Sequence, residues 1–282
     1  MRSNRVWLAH NYGTSLQHLI GCAGIAASLF LVGCGTPTFE GVTTSLSGSD
    51  GATSLSVAIP PGSETESAEL LIAFLGIQAN PNTSGPPGWT PLPGMDGFNG
   101  ATCQADGRGV ACQLSVYYKI ADGSETTAEF SWGGSRGAVA AVLRYSNVDP
   151  AGPIGVIRPQ RGSSAGPTAP VVTTTRDDSR VLRIVVIELD EVKPFLTGSL
   201  ALTEEASTSR LNLVSFSDAA TDPTNGCGPP LSQCDATERA VAIGVADNGL
   251  STAGGAGPAN WEMPGPDQWM GVSIEILRPP EP

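Results

Sequence analysis

Residues Val110–Ile120 alternate strictly in polarity. Val110, Cys112, Leu114, Val116, Tyr118 and Ile120 share one side, and Gln113, Ser115, Tyr117 and Lys119 share the other. A period of two is the pattern of an extended strand with one covered face. Near the C-terminus, Met270, Val272, Ile274 and Ile276 alternate with Gly271, Ser273, Glu275 and Leu277 in the same way. Leu70–Leu75 and Val181–Leu189 are nearly unbroken apolar runs, the pattern of central strands covered on both faces. Arg136–Tyr145 carries β-branched residues that favour a strand over a helix. Turns are expected at Asn99-Gly100, Asp122-Gly123 and Asn248-Gly249. With no long amphipathic helix in the pattern, the chain reads as all-β.

A repeat refines this. A short strand, an acidic spacer and a long apolar strand occur at Ser54–Ile77 and again at Ala169–Leu189. Each half then closes on a tryptophan and an aliphatic strand, Trp132 to Leu143-Arg144 and Trp269 to Leu277-Arg278. The expected fold is a two-sheet antiparallel β-sandwich, jelly-roll-like, built from two pseudo-repeated halves with strands of each half in both sheets. At 282 residues and 40% hydrophobic content, the chain can bury a substantial core.

The first 33 residues differ from the rest. Arg2 and Arg5 precede an apolar stretch of 14 residues, Leu19–Val32. That fits a signal-peptide core and falls short of the roughly 20 residues of a spanning helix. The stretch ends Leu31-Val32-Gly33-Cys34, which resembles the lipobox of bacterial lipoproteins. The resemblance implies cleavage before Cys34, acyl chains on that cysteine, and attachment to a membrane. Gly35 at the next position implies the outer membrane. The expected layout is a signal peptide over 1–33, a flexible tether over 34–52 rich in Ser, Thr and Gly, a β-sandwich over 53–279 and a tail over 280–282.

Charge and histidine follow the same division. Residues 1–33 hold two arginines and no acid, so the remainder carries 13 basic and 27 acidic groups, a net charge of −14. Such a surface disfavours nucleic acid as a partner. Both histidines, His10 and His18, precede the expected cut. A histidine-free body has no Ser-His-Asp triad and no imidazole metal ligand.

Four cysteines remain after Cys34: Cys103, Cys112, Cys227 and Cys234. An even count in an exported chain points to disulfides. A hairpin turn centred between Gly107 and Arg108 would place Cys103 opposite Cys112 as a non-hydrogen-bonded pair, with Cα atoms about 4.5 Å apart. Cys227 and Cys234 flank a short loop and form the second expected pair.

Three groups of residues could carry chemistry. Glu188 and Asp190 end a long strand and would lie roughly 6–7 Å apart on one face. They partly resemble the Glu-x-Asp-x-Glu strand of laminarinase-like glycoside hydrolases; Glu191 follows Asp190 directly and breaks that pattern. Asp218, Asp222, Asn225 and Asp235 form an oxygen-rich set of candidate calcium ligands, the only cofactor indicated. Trp89 and Trp261 sit in Pro/Gly loops and are candidate carbohydrate-stacking residues, whereas Trp132 and Trp269 lie in strands and read as core.

Pro86-Pro87-Gly88-Trp89-Thr90, Val116–Glu125, Phe130-Ser131-Trp132 and Ala138–Pro150 together resemble a β-sandwich domain recurring in bacterial secreted and phage-tail-associated proteins. The resemblance covers about residues 53–278, implies the fold and implies no catalytic set. The reading of function is a lipid-anchored envelope or cell-surface protein with a non-enzymatic binding, adhesion or structural role and a carbohydrate or envelope protein as ligand. The alternatives are a carbohydrate-active enzyme and a calcium-dependent carbohydrate-binding module.

Overall fold

The two apolar runs seen in the sequence form the middle strands of two sheets, and everything else is arranged around them. The structure, a computed structural model, describes residues 35–47, 51–63, 67–78, 81–95, 103, 112–189, 201–203, 207–217, 239–263 and 266–281. The first half contains β1 (Thr38–Leu46), β2 (Ala52–Ala58), β3 (Glu69–Gln78), β4 (Thr83–Ser84), β5 (Thr90–Pro91), β6 (Cys112–Ile120), β7 (Thr127–Arg136) and β8 (Ala138–Ser146). The second contains β9 (Ile154–Ser164), β10 (Thr168–Ala169), β11 (Val172–Thr173), β12 (Ser179–Leu189), β13 (Ala201–Leu202), β14 (Thr208–Ser217), β15 (Arg239–Leu250), β16 (Gly255–Ala256), β17 (Ala259–Glu262) and β18 (Asp267–Ile276). No helix occurs among the described residues.

Each half repeats one topology. The first large sheet has the order β1-β8-β3-β6-β5, and the second has β9-β18-β12-β15-β14. A small sheet, β2-β7-β4, accompanies the first, and β10-β17-β13 with β11-β16 accompanies the second. Every strand pair is antiparallel. First strand beside last and second beside next-to-last is jelly-roll order. The pseudo-repeat is therefore real, but its halves do not interleave as expected: each builds its own jelly roll.

The two large sheets pack face to face. Leu70, Ile72 and Phe74 of β3 meet Leu182, Ile184 and Val186 of β12 in one buried cluster, joined by Val241, Ile243 and Val245 of β15. Gly76 marks a close approach, since a Cβ there would lie 2.4 Å from Cδ1 of Ile243. The opposite face of each large sheet is covered by its own small sheet. Leu71, Ala73 and Leu75 pack on Leu55, Val57 and Phe130, while Val185 and Ile187 pack on Ala169 and Trp261. The result is four layers, with β3 and β12 buried on both faces as their apolar runs predict. Burying each such Leu or Ile contributes roughly 1.5–3 kcal/mol relative to exposure.

Four layers also correct the half-covered reading of the alternating strands. The inward residues of β6 and β18 are those expected, yet their polar faces are buried too. Gln113 and Ser115 lie beneath β4, where Gln113 Nε2 donates to Thr83 Oγ1 at 3.0 Å and to Ser115 Oγ at 3.1 Å. On β18, Ser273 Oγ donates to Pro170 O at 2.6 Å. A polar group under a second layer is tolerated when it is hydrogen-bonded in this way.

Three further expectations change. Residues 36–46 are not a tether: β1 is an edge strand zipped along β8 from Thr38↔Ser146 to Leu46↔Val139. Asn248-Gly249 is not a turn but part of β15, opposite Val181 and Arg180. Thr36 lies close against Gly249, where a Cβ would make a tight contact 3.1 Å from Cγ2 of Thr36. Leu277-Arg278 lies beyond β18, so it does not match Leu143-Arg144 within β8.

Candidate functional site

The motifs behind the family resemblance resolve into structural fastenings. In the β6–β7 turn, Asp122 accepts from Ser124 N at 2.9 Å, and Glu125 accepts from the amides of Asp122 and Gly123 at 3.1 Å. Lys119 Nζ closes the turn at 2.7 Å from Glu125 and 3.0 Å from Asp122. Its hydrogen bonds to Glu125 and Asp122 push the lysine pKa up, and the Ser124 hydroxyl and amide hold Asp122 well below the ordinary carboxylate range. Gly123 supplies the positive φ of 81° that the turn requires. In the Pro86–Thr90 segment, Trp89 N donates to Pro86 O at 3.2 Å and its ring packs on the first outer core. Trp132 is buried and its indole N–H donates to Ala52 O at 2.8 Å.

The Arg144–Pro150 segment does the same work at one end of the sandwich. Arg144 pairs with Glu69, Ser146 donates to Glu40, and Asn147 takes the left-handed conformation at φ 58°. Asp149 accepts from Ala151 N at 3.0 Å and from Arg176 Nη1 at 2.8 Å. Burial pushes the Asp149 pKa up, but the Arg176 and Ala151 hydrogen bonds outweigh it and hold it down. Another buried carboxylate, Glu275, accepts from Thr175 N at 2.6 Å, Val156 N at 3.0 Å and Ser179 Oγ at 3.1 Å. These acids are committed to holding loops.

A shallow, half-open depression lies on the first small sheet. Along β2 and β7 alternate residues turn inward, which leaves Ser54, Ser56, Glu129 and Ser131 outward. The register sets Ser54 opposite Ser131 and Ser56 opposite Glu129, and β4 adds Ser84 beside Ser131. Gly85 and Pro87 complete a depression of about 360 Å³ above Leu55 and Phe130. Gly85 lies so close to the Tyr117 ring that a Cβ would fall 2.2 Å from it. The volume is at the small end for ligand sites. Outward hydroxyls and one carboxylate suit a neutral, hydroxyl-rich ligand; the Phe130 ring itself turns into the core beneath and is 1% exposed. Among the described residues that line it, Glu129 is the sole ionisable group, whereas the usual glycoside-hydrolysis site uses a pair of carboxylates.

Of the residues singled out by sequence, Trp261 is corrected: it is 0% exposed in the second outer core and offers no ring face to a ligand. Trp89 is half-buried and adjoins the depression in sequence without lining it. Trp269 is buried, with its indole N–H donating to Ser164 Oγ at 3.0 Å. Glu188 is the penultimate residue of β12, opposite Val241. Asp190, Cys34, Cys227, Cys234, Asp218, Asp222, Asn225 and Asp235 lie outside the described residues. Among the described residues, no three His, Cys, Asp or Glu side chains converge as metal ligands. No helix among them is long and apolar enough to cross a membrane.

Cys103 and Cys112 are bonded, with Cα atoms 5.1 Å apart. Cys103 N donates to Cys112 O at 2.8 Å, so the pairing matches expectation while the site is hydrogen-bonded. Both cysteines are buried in the core between the large sheets.

Sequence reasoning passed over Ser54, Ser56, Ser84, Glu129 and Ser131. Their signal was the alternation Ser54-Leu55-Ser56-Val57 and Glu129-Phe130-Ser131-Trp132, legible as a polar face once β2 and β7 are paired. Compared with protein-family models, curated proteins and solved structures, the chain matches none.

Proposed function

We propose that this protein is a lipid-anchored β-sandwich of the bacterial cell envelope with a non-enzymatic binding role, held at the outer membrane by acyl chains on Cys34. Its ligand is a carbohydrate or a glycan-bearing envelope component taken up by the depression between Ser54, Ser84 and Glu129. The observation that carries the reading is that depression: outward hydroxyls and one carboxylate on a sheet that an apolar core holds rigid beneath. Rigid presentation of polar groups favours recognition.

The test is a glycan array probed with the soluble domain from Gly35 onward. Saccharide binding that disappears in Glu129→Gln and in Ser56→Trp, with unchanged melting, supports the reading. Binding that survives both variants removes the depression from it. The same array with chelator tests the calcium set Asp218, Asp222, Asn225 and Asp235. Release of reducing ends from a bound polysaccharide, lost in Glu188→Gln, would replace the binding role with a carbohydrate-active enzyme. Globomycin tests the anchor: a processed lipoprotein accumulates as lipidated precursor, and a Cys34→Ala chain does not.

A further inference from the structure

We infer that the lipid on Cys34 seats the sandwich directly on the bilayer by the pole at which β1 begins, leaving the Cys103–Cys112 pole pointing away. This rests on the lipoprotein reading and adds an orientation to it. The chain is fastened from the first residue after that cysteine. Asn147 Nδ2 donates to Gly35 O, and Arg180 Nε donates to Pro37 O. Thr36 lies against Gly249 of β15. Thr38 then enters the ladder opposite Ser146. Both halves therefore grip residues 35–38: Asn147 and Ser146 belong to the first, Arg180 and Gly249 to the second.

A trans peptide sets neighbouring Cα atoms about 3.8 Å apart. The acylated side chain thus starts one residue from a fixed point of the fold. An 18-residue flexible tether would instead allow a root-mean-square reach of roughly 20–25 Å and any orientation.

Among the described residues, the pole set against the headgroups includes the Asp122–Glu125 turn, whose Ala121 N donates to Glu69 O at 2.9 Å, the Asn147–Pro153 connection and the Arg176–Ser179 turn. Three cations offset part of its acidity: Lys119 with Asp122 and Glu125, Arg176 with Asp149, and Arg278 with Asp178 and Glu281. That pairing limits the repulsion an acidic body would meet at an anionic surface. The strands run from this pole to the other. β12, at 11 residues, spans roughly 35 Å. Cys112 begins β6 at the far pole, opposite Gln78 at the end of β3, and the serine-lined depression lies on the flank between the poles.

The experiment uses the acylated protein reconstituted into phosphatidylethanolamine–phosphatidylglycerol vesicles carrying a headgroup energy acceptor. A donor fluorophore is introduced as an unnatural residue at Thr126, near the seated pole, or at Ser163, near the other. Both positions are exposed. The expected result is transfer several-fold stronger from position 126 than from 163. A Gly-Ser linker of about 12 residues between Gly35 and Thr36, which adds a reach of roughly 20 Å, should erase most of that difference. Equal transfer from the two positions in acylated protein overturns the orientation and leaves the anchor standing. A difference that persists unchanged with the linker overturns the role of the short attachment. A mass for Cys34 without acyl chains overturns the anchor, and the orientation with it.

Discussion

The phenol of Tyr145 donates to Oδ2 of Asp247 at 2.9 Å across the interface between the two jelly rolls, and neither residue is exposed to solvent. Asp247 also accepts from Arg180 Nη1 at 2.7 Å and from Arg210 Nε and Nη2 at 2.9 Å. Arg210 in turn lies 4.3 Å above the Phe39 ring, which meets Tyr145 edge-on. One buried carboxylate therefore joins β8, β12, β14 and β15, with β1 packed alongside. Tyr145→Phe removes one hydrogen bond from a still-satisfied acid and should cost about 1–2 kcal/mol. Asp247→Ala strands two guanidinium groups and should cost about 3–5 kcal/mol. Denaturant unfolding of both variants measures the contrast; equal losses would mean that Asp247 does not hold the cluster.

The same pair sets an alkaline limit. Burial, with the Asp247 charge and hydrogen bond, pushes the Tyr145 pKa well above its usual value of 10.0. Above about pH 10 the unfolded phenol ionises while the folded one stays neutral, so the unfolded state is favoured. Stability should fall as pH rises past that point, and the fall should be shallower in Tyr145→Phe. Matched alkaline denaturation curves for the two proteins check this.

At the acid end the sign reverses. Asp149 and Glu125 both have lowered pKa values, although burial alone would raise them: Arg176 and Ala151 N–H hold Asp149 down, and the Lys119 hydrogen bond holds Glu125 down. Their contribution is present above the ordinary carboxylate range and is lost as pH falls through the folded values. Melting temperature should drop below about pH 4, and Arg176→Gln should weaken the acid dependence. The partly exposed setting of Arg176 keeps that effect small.

Gly271 of β18 is a position of contact rather than of flexibility. A Cβ there would lie 2.2 Å from the backbone oxygen of Thr168, which has no rotamer through which to retreat. Gly271→Ala should cost about 1–3 kcal/mol or more by prising β10 from the large sheet. An alanine at Gly133, where a Cβ would meet nothing within 4 Å, is the control.

The disulfide should be worth roughly 2–3 kcal/mol for its nine-residue separation, read as the stability difference between native protein and Cys103→Ala/Cys112→Ala. Peptide mapping under non-reducing conditions should join Cys103 to Cys112. The repeated topology adds Cys227 to Cys234. Residues 92–111 connect β5 to β6 and residues 218–238 connect β14 to β15, corresponding edges of the two large sheets; Cys103 lies in the first connection with Cys112 opening β6, and Cys227 and Cys234 both lie in the second.

The inner core was readable in advance because its strands obey simple periods: Leu114, Val116, Met270, Val272 and Ile274 all point where alternation puts them. The second layer was not. Gln113, Ser115, Ser273 and Glu275 have the polarity of a wet face, and only the short strands β4, β10 and β11 reveal that they are covered. Two-residue strands carry too little pattern to be read, although they decide which polar groups leave water. The N-terminal segment failed for a related reason: Thr36–Leu46 is Ser/Thr-rich because an edge strand beside β8 needs only a few inward residues, such as Phe39 and Val42. The depression was hidden because it depends on the β2–β7 register, which composition does not specify.

The matching strand orders of the two large sheets make the interface between the halves pseudo-symmetric. A half with the order β1-β8-β3-β6-β5, taken alone, would carry an apolar face with nothing of its own to cover it. Covering such a face takes a second layer of similar shape, as in a homodimer, and here the other half of the same chain supplies it. The two halves differ in what they add: the first carries the serine-lined flank, and the second carries Asp247 and Arg210, which meet Tyr145 and Phe39 of the first.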